Sequence, residues 1–159
     1  MDVFTTRFGT LSVDSQDELI FESGLIGLEH CRRWVVLSDT KNPTLGWLQS
    51  LDEGHIALGV VSPRRFVPDY QLRIDRAELQ FLELTTTRDA EVVVIASRQA
   101  QGQQVGGQAG GQAGGLTLNL RAPLVINVER RRGCQVIAKD DLPVQFPLSL
   151  PSLPLKRTA

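Results

Sequence analysis

The feature that most limits how this chain can fold is the way its apolar residues are cut into short runs. Stretches rich in Val, Ile and Leu recur along the sequence, each bounded by Gly, Pro or Asp. Runs of that length and composition read as strands rather than helices. Eleven are found: residues 3–8, turning at Gly9-Thr10 into 11–13, then 19–21, 34–37, 45–48, 55–61, 71–74, 91–97, 116–120, 124–129 and 134–138. In the first run Phe4, Thr6 and Phe8 alternate with Thr5 and Arg7, which suits a strand with one wet face. Residues 57–61 (ALGVV) and 92–96 (VVVIA) are apolar on both faces, so they are expected to be central and buried. Crossover helices long enough for a parallel sheet are missing. The predicted fold is mostly β: a single-domain antiparallel β-barrel-like fold with one short helix at about residues 75–84.

That helix has a start signal. Asp75 reads as an N-cap with Glu78 three positions on, a variant of the capping box. Leu79, Leu82 and Leu84 supply its buried stripe, with Phe81 beside them, and the β-branched run Thr85-Thr86-Thr87 ends it. Residues 28–33 are a second, weaker helical candidate of one or two turns.

Two tracts fall outside this pattern. Residues 99–115, QAQGQQVGGQAGGQAGG, hold seven of the fourteen glycines, one Val and no charge. Such a tract buries too little to offset its ordering entropy, so it is expected to be a flexible loop insertion between two strands of a 1–148 domain. A phosphate cradle would need a helix after the glycines and a Lys or Ser/Thr at a fixed place, and neither is there. Residues 149–159 form a Pro-rich C-terminal tail.

Composition narrows the function. The 17 basic residues are cancelled by 18 acidic ones, for a net charge of −1. A protein tracking a phosphate backbone needs a basic excess, so direct nucleic-acid binding is not expected. No window approaches the roughly 18–20 apolar residues that span a bilayer, and the first residues lack the pattern of a signal peptide. Cys31 and Cys134 stand alone, which fits a reducing compartment, and the expected location is the cytoplasm.

No catalytic constellation emerges. His30 neighbours Cys31, but too few His and Cys remain for a zinc site. His55 follows Asp52-Glu53-Gly54 in what reads as a solvated turn, and Ser50 lacks a nucleophile elbow. Cys134 reads as a small core residue. The expectation is a protein that is not an enzyme, with no cofactor and no metal. Basic clusters occur at Arg32-Arg33, at Arg64-Arg65 and at Arg130-Arg131-Arg132. The last reads as a charged hairpin turn; its arginines suit a phosphate, a carboxylate-bearing partner or mere solubility, and a solvated turn is the favoured reading. A small nucleic-acid-binding β-barrel using Arg64, Arg65 and Arg130 to Arg132 is the alternative.

More telling are apolar residues at strand ends and loops. Trp47-Leu48-Gln49-Ser50 ends a strand, and Phe66-Val67-Pro68-Asp69-Tyr70 is a Pro-bearing connection. Aromatics in rigid loops supply contact area at low entropy cost, as protein-recognition surfaces require. The competing role is to close the barrel ends, and for Trp47 that role is the expected one.

Read in order, these segments resemble the bacterial flagellar assembly factor family FliW. The resemblance runs from Thr5 to Leu148 with the Gly/Gln tract as an insertion. It is carried by WLQS, FVPDY and NLRAPLVIN, followed by R-x-G-x-Q-V-I, together a specific set. Two departures are Leu142-Pro143-Val144-Gln145-Phe146-Pro147, where the family has a segment like Tyr-Pro-Val-Arg-His-Pro, and the length of the Gly/Gln loop. The resemblance implies a monomeric, non-catalytic barrel that binds flagellin and the RNA-binding translational repressor CsrA, coupling flagellin translation to flagellum assembly. The partner-binding or supporting set is then Trp47, Leu48, Gln49, Phe66, Val67, Pro68, Asp69, Tyr70 and Asn127. Acidic Asp52, Glu53, Asp69 and Glu91 are expected to aid encounter with a positively charged repressor.

Overall fold

The computed structural model describes residues 1–98 and 115–148. The expectations for the Gly/Gln tract, Gly115 apart, and for the Pro-rich tail lie outside the described residues.

Eleven strands form among the described residues: β1 (Asp2–Thr5), β2 (Gly9–Ser12), β3 (Leu19–Phe21), β4 (Arg33–Ser38), β5 (Gly46–Ser50), β6 (Ala57–Val61), β7 (Ala90–Arg98), β8 (Leu116–Leu118), β9 (Leu124–Asn127), β10 (Arg132–Gln135) and β11 (Phe146–Pro147). Seven of them close on themselves, in the order β7-β6-β5-β4-β3-β10-β9 and back to β7. A mostly β, barrel-like fold is therefore what the chain adopts. The pairing is not antiparallel throughout: β10 runs parallel to β3, with Arg132 opposite Ile20 and Gly133 opposite Phe21. Closure demands this. Each antiparallel pairing reverses strand direction, so a ring of seven cannot close unless one pairing is parallel. Strand β7 is long enough to serve two neighbours on one side, β9 along 90–93 and β8 along 96–98.

Alternation along these strands sorts the core. Leu19, Phe21, Leu25, Cys31, Trp34, Leu48, Val60, Leu124 and Ile126 fill the barrel interior. Trp34 and Phe21 meet edge to face at 6.4 Å, and Trp34 Nε1 donates to the Cys31 carbonyl at 2.9 Å. The outer face is covered in three places. The β1–β2 hairpin lays Val3 and Leu11 over Val35, Leu37 and Leu51. Residues 66–72, with Leu142, Phe146 and Leu148, cover Val61, Val94 and Leu118. Leu79, Phe81 and Leu82 cover Val125 and Val136. These covers explain why runs 57–61 and 92–96 are apolar on both faces.

Four local expectations need correction. The first run is not one strand: β1 ends at Thr5, whose Oγ1 donates to the Gly9 carbonyl (2.8 Å) and accepts from the Phe8 amide (2.9 Å). Thr5 is buried there and Phe4 points out, 74% exposed. Residues 71–74 form no ladder and instead lie across the outer face, while the edge pair Phe146-Pro147 does pair. Residues 28–33 are turns leading into β4 rather than a helix. The helix at Arg76–Leu82 is of the tighter 3-10 type, and Asp75 makes no side-chain cap, its carboxylate meeting Lys139 Nζ at 2.7 Å. With three residues per turn, Leu79 and Leu82 fall on one side, the spacing needed to cover the sheet.

Candidate functional site

Within Trp47-Leu48-Gln49-Ser50 the strand period sends neighbours to opposite faces. Leu48 points into the barrel core and Trp47 out, so Trp47 does not close the barrel; Trp34 occupies the interior instead. On the outer face the Trp47 indole is half-buried and held on three sides. Its Nε1 donates to Asp39 Oδ1 at 3.0 Å, the Arg7 guanidinium lies 4.1 Å over the ring, and Phe8 meets it edge-on at 6.2 Å. The indole bond, and then the Asn42 and Lys41 amides, hold the Asp39 carboxyl below its usual pKa. Gly59 stands opposite, where an added Cβ would make only ordinary contacts, 3.7 Å from the indole and 3.4 Å from Leu45.

Residues 62–70 form a strap of successive tight turns. Pro63 opens a 3-10 turn, and its carbonyl accepts from Phe66 (3.1 Å) and Val67 (2.8 Å). The Tyr70 amide then bonds the Val67 carbonyl at 2.9 Å, and Arg64 Nε crosses the strap to the Tyr70 carbonyl at 3.0 Å. Tyr70 is 5% exposed, and its hydroxyl donates to the Leu120 carbonyl at 2.8 Å. Burial pushes its pKa up to about 12. The strap is therefore anchored at Tyr70 and carries Phe66 and Val67 half-buried, with Pro68 and Asp69 exposed at its crest. Leu45 packs in the same cluster as Phe66 and Val67, and both it and the Trp47 ring border Gly59.

The nine residues singled out from sequence thus divide. Trp47, Phe66, Val67, Pro68 and Asp69 reach the surface on one side of the barrel. Leu48, Gln49, Tyr70 and Asn127 are buried and support it. Gln49 Nε2 serves the carbonyls of Ser50, Gly54 and Ile56 at 2.9–3.1 Å. Asn127 lies three strands round the barrel on β9, donating to the Leu82 carbonyl (2.8 Å) and accepting from the Arg130 amide (3.2 Å). Of the acidic residues, Asp52 is committed to the Arg32 and Arg33 amides and Glu53 to His30, whereas Asp69 and Glu91 are exposed. Sequence reading missed Arg7, Phe8 and Asp39 as the frame of Trp47. Their signal was hidden, because Arg7-Phe8 reads as strand end until the Thr5 turn is seen.

No helix among the described residues is long and apolar enough to cross a membrane, and no cluster of His, Cys, Asp or Glu is arranged to hold a metal ion.

Comparison with known proteins supplies the context for this surface. The family model for FliW protein matches residues 2–148. The chain is 34% identical over 149 residues to the flagellar assembly factor FliW of Syntrophus aciditrophicus (strain SB), covering 93% of this chain and 85% of that one. It is 31% identical over 142 residues to the FliW of Caldanaerobacter subterraneus subsp. tengcongensis, covering 89% and 87%. A crystal structure of the flagellar assembly factor FliW superposes with a TM-score of 0.75 at 24% identity, over 93% of this chain and 95% of that one. This chain belongs to the FliW family of flagellar assembly factors.

Proposed function

We propose that this protein acts in the cytoplasm as a monomer that binds flagellin and, when flagellin is absent, captures the translational repressor CsrA. Flagellin synthesis is thereby coupled to flagellum assembly. The family is one of assembly factors and not a known enzyme family, so the work is done by protein contact.

One observation carries the reading: Trp47 is hydrogen-bonded to Asp39 and residues 66–69 are tied down at Tyr70, while both remain accessible. A pre-ordered aromatic surface loses little entropy on binding, which is why Trp and Tyr side chains, with their neighbours, dominate interface energies. A repressor that holds RNA carries positive charge, and the exposed carboxylates of Asp69 and Glu91 then speed its encounter.

Calorimetry with purified flagellin and purified CsrA tests this. Phe66→Ala and Trp47→Ala are each expected to weaken at least one partner by about tenfold, the usual effect of truncating an interface anchor. Far-UV circular dichroism should show the barrel retained. Unchanged affinity for both partners in both variants would remove this surface from the mechanism.

A further inference from the structure

The turn between β9 and β10 carries three consecutive arginines, Arg130 exposed and Arg131 and Arg132 half-buried against a depression in the surface. A shallow cavity of about 300 Å³ is lined by Ser15, Glu18, Ile20, Phe81 and the three arginines. The charges within it are unevenly paired. Arg130 and Arg132 both lie 3.2 Å from the one carboxylate of Glu83. Glu18 is taken by Arg33. Arg132 also donates to the Phe81 carbonyl at 2.9 Å and stacks over the Phe81 ring at 5.0 Å. Arg131 meets no carboxylate among the described residues. Its Nη2 donates to the Asp17 carbonyl at 2.7 Å, and its Nε is buried with no acceptor.

Two further facts converge on the same place. Only two non-glycine residues among the described ones have a left-handed backbone, Glu83 at φ 51° and Arg131 at φ 57°. Both belong to this cluster. Such conformations are costly for residues with a Cβ and gather where a site must be shaped. Here one aims the shared carboxylate at Arg130 and Arg132, and the other sets Arg131 over the segment Ser15–Asp17. Arg131 thus brings to the cavity a positive charge that no carboxylate among the described residues neutralises, and a charge-assisted hydrogen bond to an oxyanion is stronger than one to a neutral acceptor.

We infer that this cavity is a binding site for a small oxyanion, a phosphate or a carboxylate, with the Arg131 guanidinium as its principal donor. Arg132 and the Ser15 hydroxyl line the cavity and complete the polar wall. The inference does not depend on the partner reading above, since the cavity is lined by residues other than Trp47 and the 66–69 crest.

The test is a side-chain NMR titration of the purified protein, following the arginine Nε–H resonances and the Ser15 amide. Sodium phosphate, sodium acetate and sodium chloride are added in separate arms at matched ionic strength. A saturable shift at Arg131 with phosphate or acetate, but not chloride, is expected, and the arm that saturates at lower concentration names the ligand class. Arg131→Asn tolerates the left-handed backbone and should leave the turn intact while weakening binding by about tenfold or more. Three results would overturn the inference: no saturable shift in any arm, equal small shifts at all exposed arginines, or unchanged Ser15 binding curves in the Asn variant.

Discussion

The parallel seam between β3 and β10 turns on one glycine. Gly133 stands opposite Phe21 across the seam and opposite Ile126 on the other side. A Cβ at Gly133 would lie 2.4, 2.6 and 2.8 Å from Phe21 Cζ, Cε1 and Cε2. The ring has nowhere to go, being fully buried with Trp34 edge-on at 6.4 Å. Gly133→Ala is therefore expected to cost about 2–3 kcal/mol, the upper part of the range for an added methyl in a filled core. For a chain of this size that lowers Tm by about 5–10 °C. The cause can be isolated. Phe21→Leu removes the ring tip and alone costs about 1–2 kcal/mol. If the clash is the whole effect, adding Gly133→Ala to Phe21→Leu costs less than about 1 kcal/mol more, a coupling of about 2 kcal/mol. Urea and thermal melts of the four proteins, followed by far-UV circular dichroism, measure this cycle. Additive losses, or a Gly133→Ala protein as stable as the parent, would refute the account of the seam.

Other consequences are open to direct measurement. Tyr70 is the chain's one tyrosine, so absorbance at the tyrosinate band reads it alone, and its midpoint should lie near 12 when folded. Because the folded pKa is above the unfolded one, the linked stability is complete below pH about 10 and is lost as pH rises towards 12, by about 2–3 kcal/mol in all. Tyr70→Phe should abolish that loss, cost about 1–2 kcal/mol at neutral pH by orphaning the Leu120 carbonyl, and leave partner affinity unchanged. Burial pushes the Cys134 thiol up to about 11 and raises Cys31 as well. Iodoacetamide labelling of Cys134 at pH 8, read by mass spectrometry, should then run about a hundredfold slower than in denaturant; equal rates would contradict the burial. Asn127→Leu removes the acceptor of the Arg130 amide and the donor to the Leu82 carbonyl, and should lower stability by about 2–4 kcal/mol in a urea melt.

Much of the barrel was legible because its strands are short and their apolar periods are clean. The two runs apolar on both faces, 57–61 and 92–96, announce strands that are covered inside and out, and the covers are residues 66–72 and the 3-10 helix. What could not be read is non-local. The seam depends on Leu19–Phe21, three residues long, finding Arg132–Gln135 more than a hundred positions away. No local pattern encodes that pairing. Residues 71–74 alternate like a strand because Leu72 and Ile74 bury against the sheet, yet they lie over its face rather than at its edge. Phe146-Pro147 gives no strand signal, since a two-residue run with a proline reads as strand only at an edge, where this one sits.

The candidate surface shows how far a motif can be read as a site. WLQS and FVPDY are contiguous in sequence, but each is split between anchor and surface once the backbone is placed. On β5 the split follows strand parity: Leu48 enters the core and Trp47 leaves it. Gln49 shares the outer face with Trp47 yet is buried, because the 54–56 turn folds back to take its amide. In the strap the split follows hydrogen bonding, since Tyr70 is drawn inward by a carbonyl fifty residues on, leaving Pro68 and Asp69 at the crest. On the proposed reading, Tyr70 holds Phe66 and Val67 in place, and Leu48 and Gln49 fix the strand that carries Trp47, without themselves touching a partner. An alanine scan scored only by binding would therefore mark Tyr70 and Gln49 as contacts. Scored also by stability, the two classes separate: anchors lose affinity in proportion to fold, whereas Phe66 and Trp47 lose more affinity than their loss of stability accounts for. If every variant of both motifs lost affinity only in proportion to stability, the exposed aromatic set would be structural, and the partner surface would lie elsewhere on the barrel.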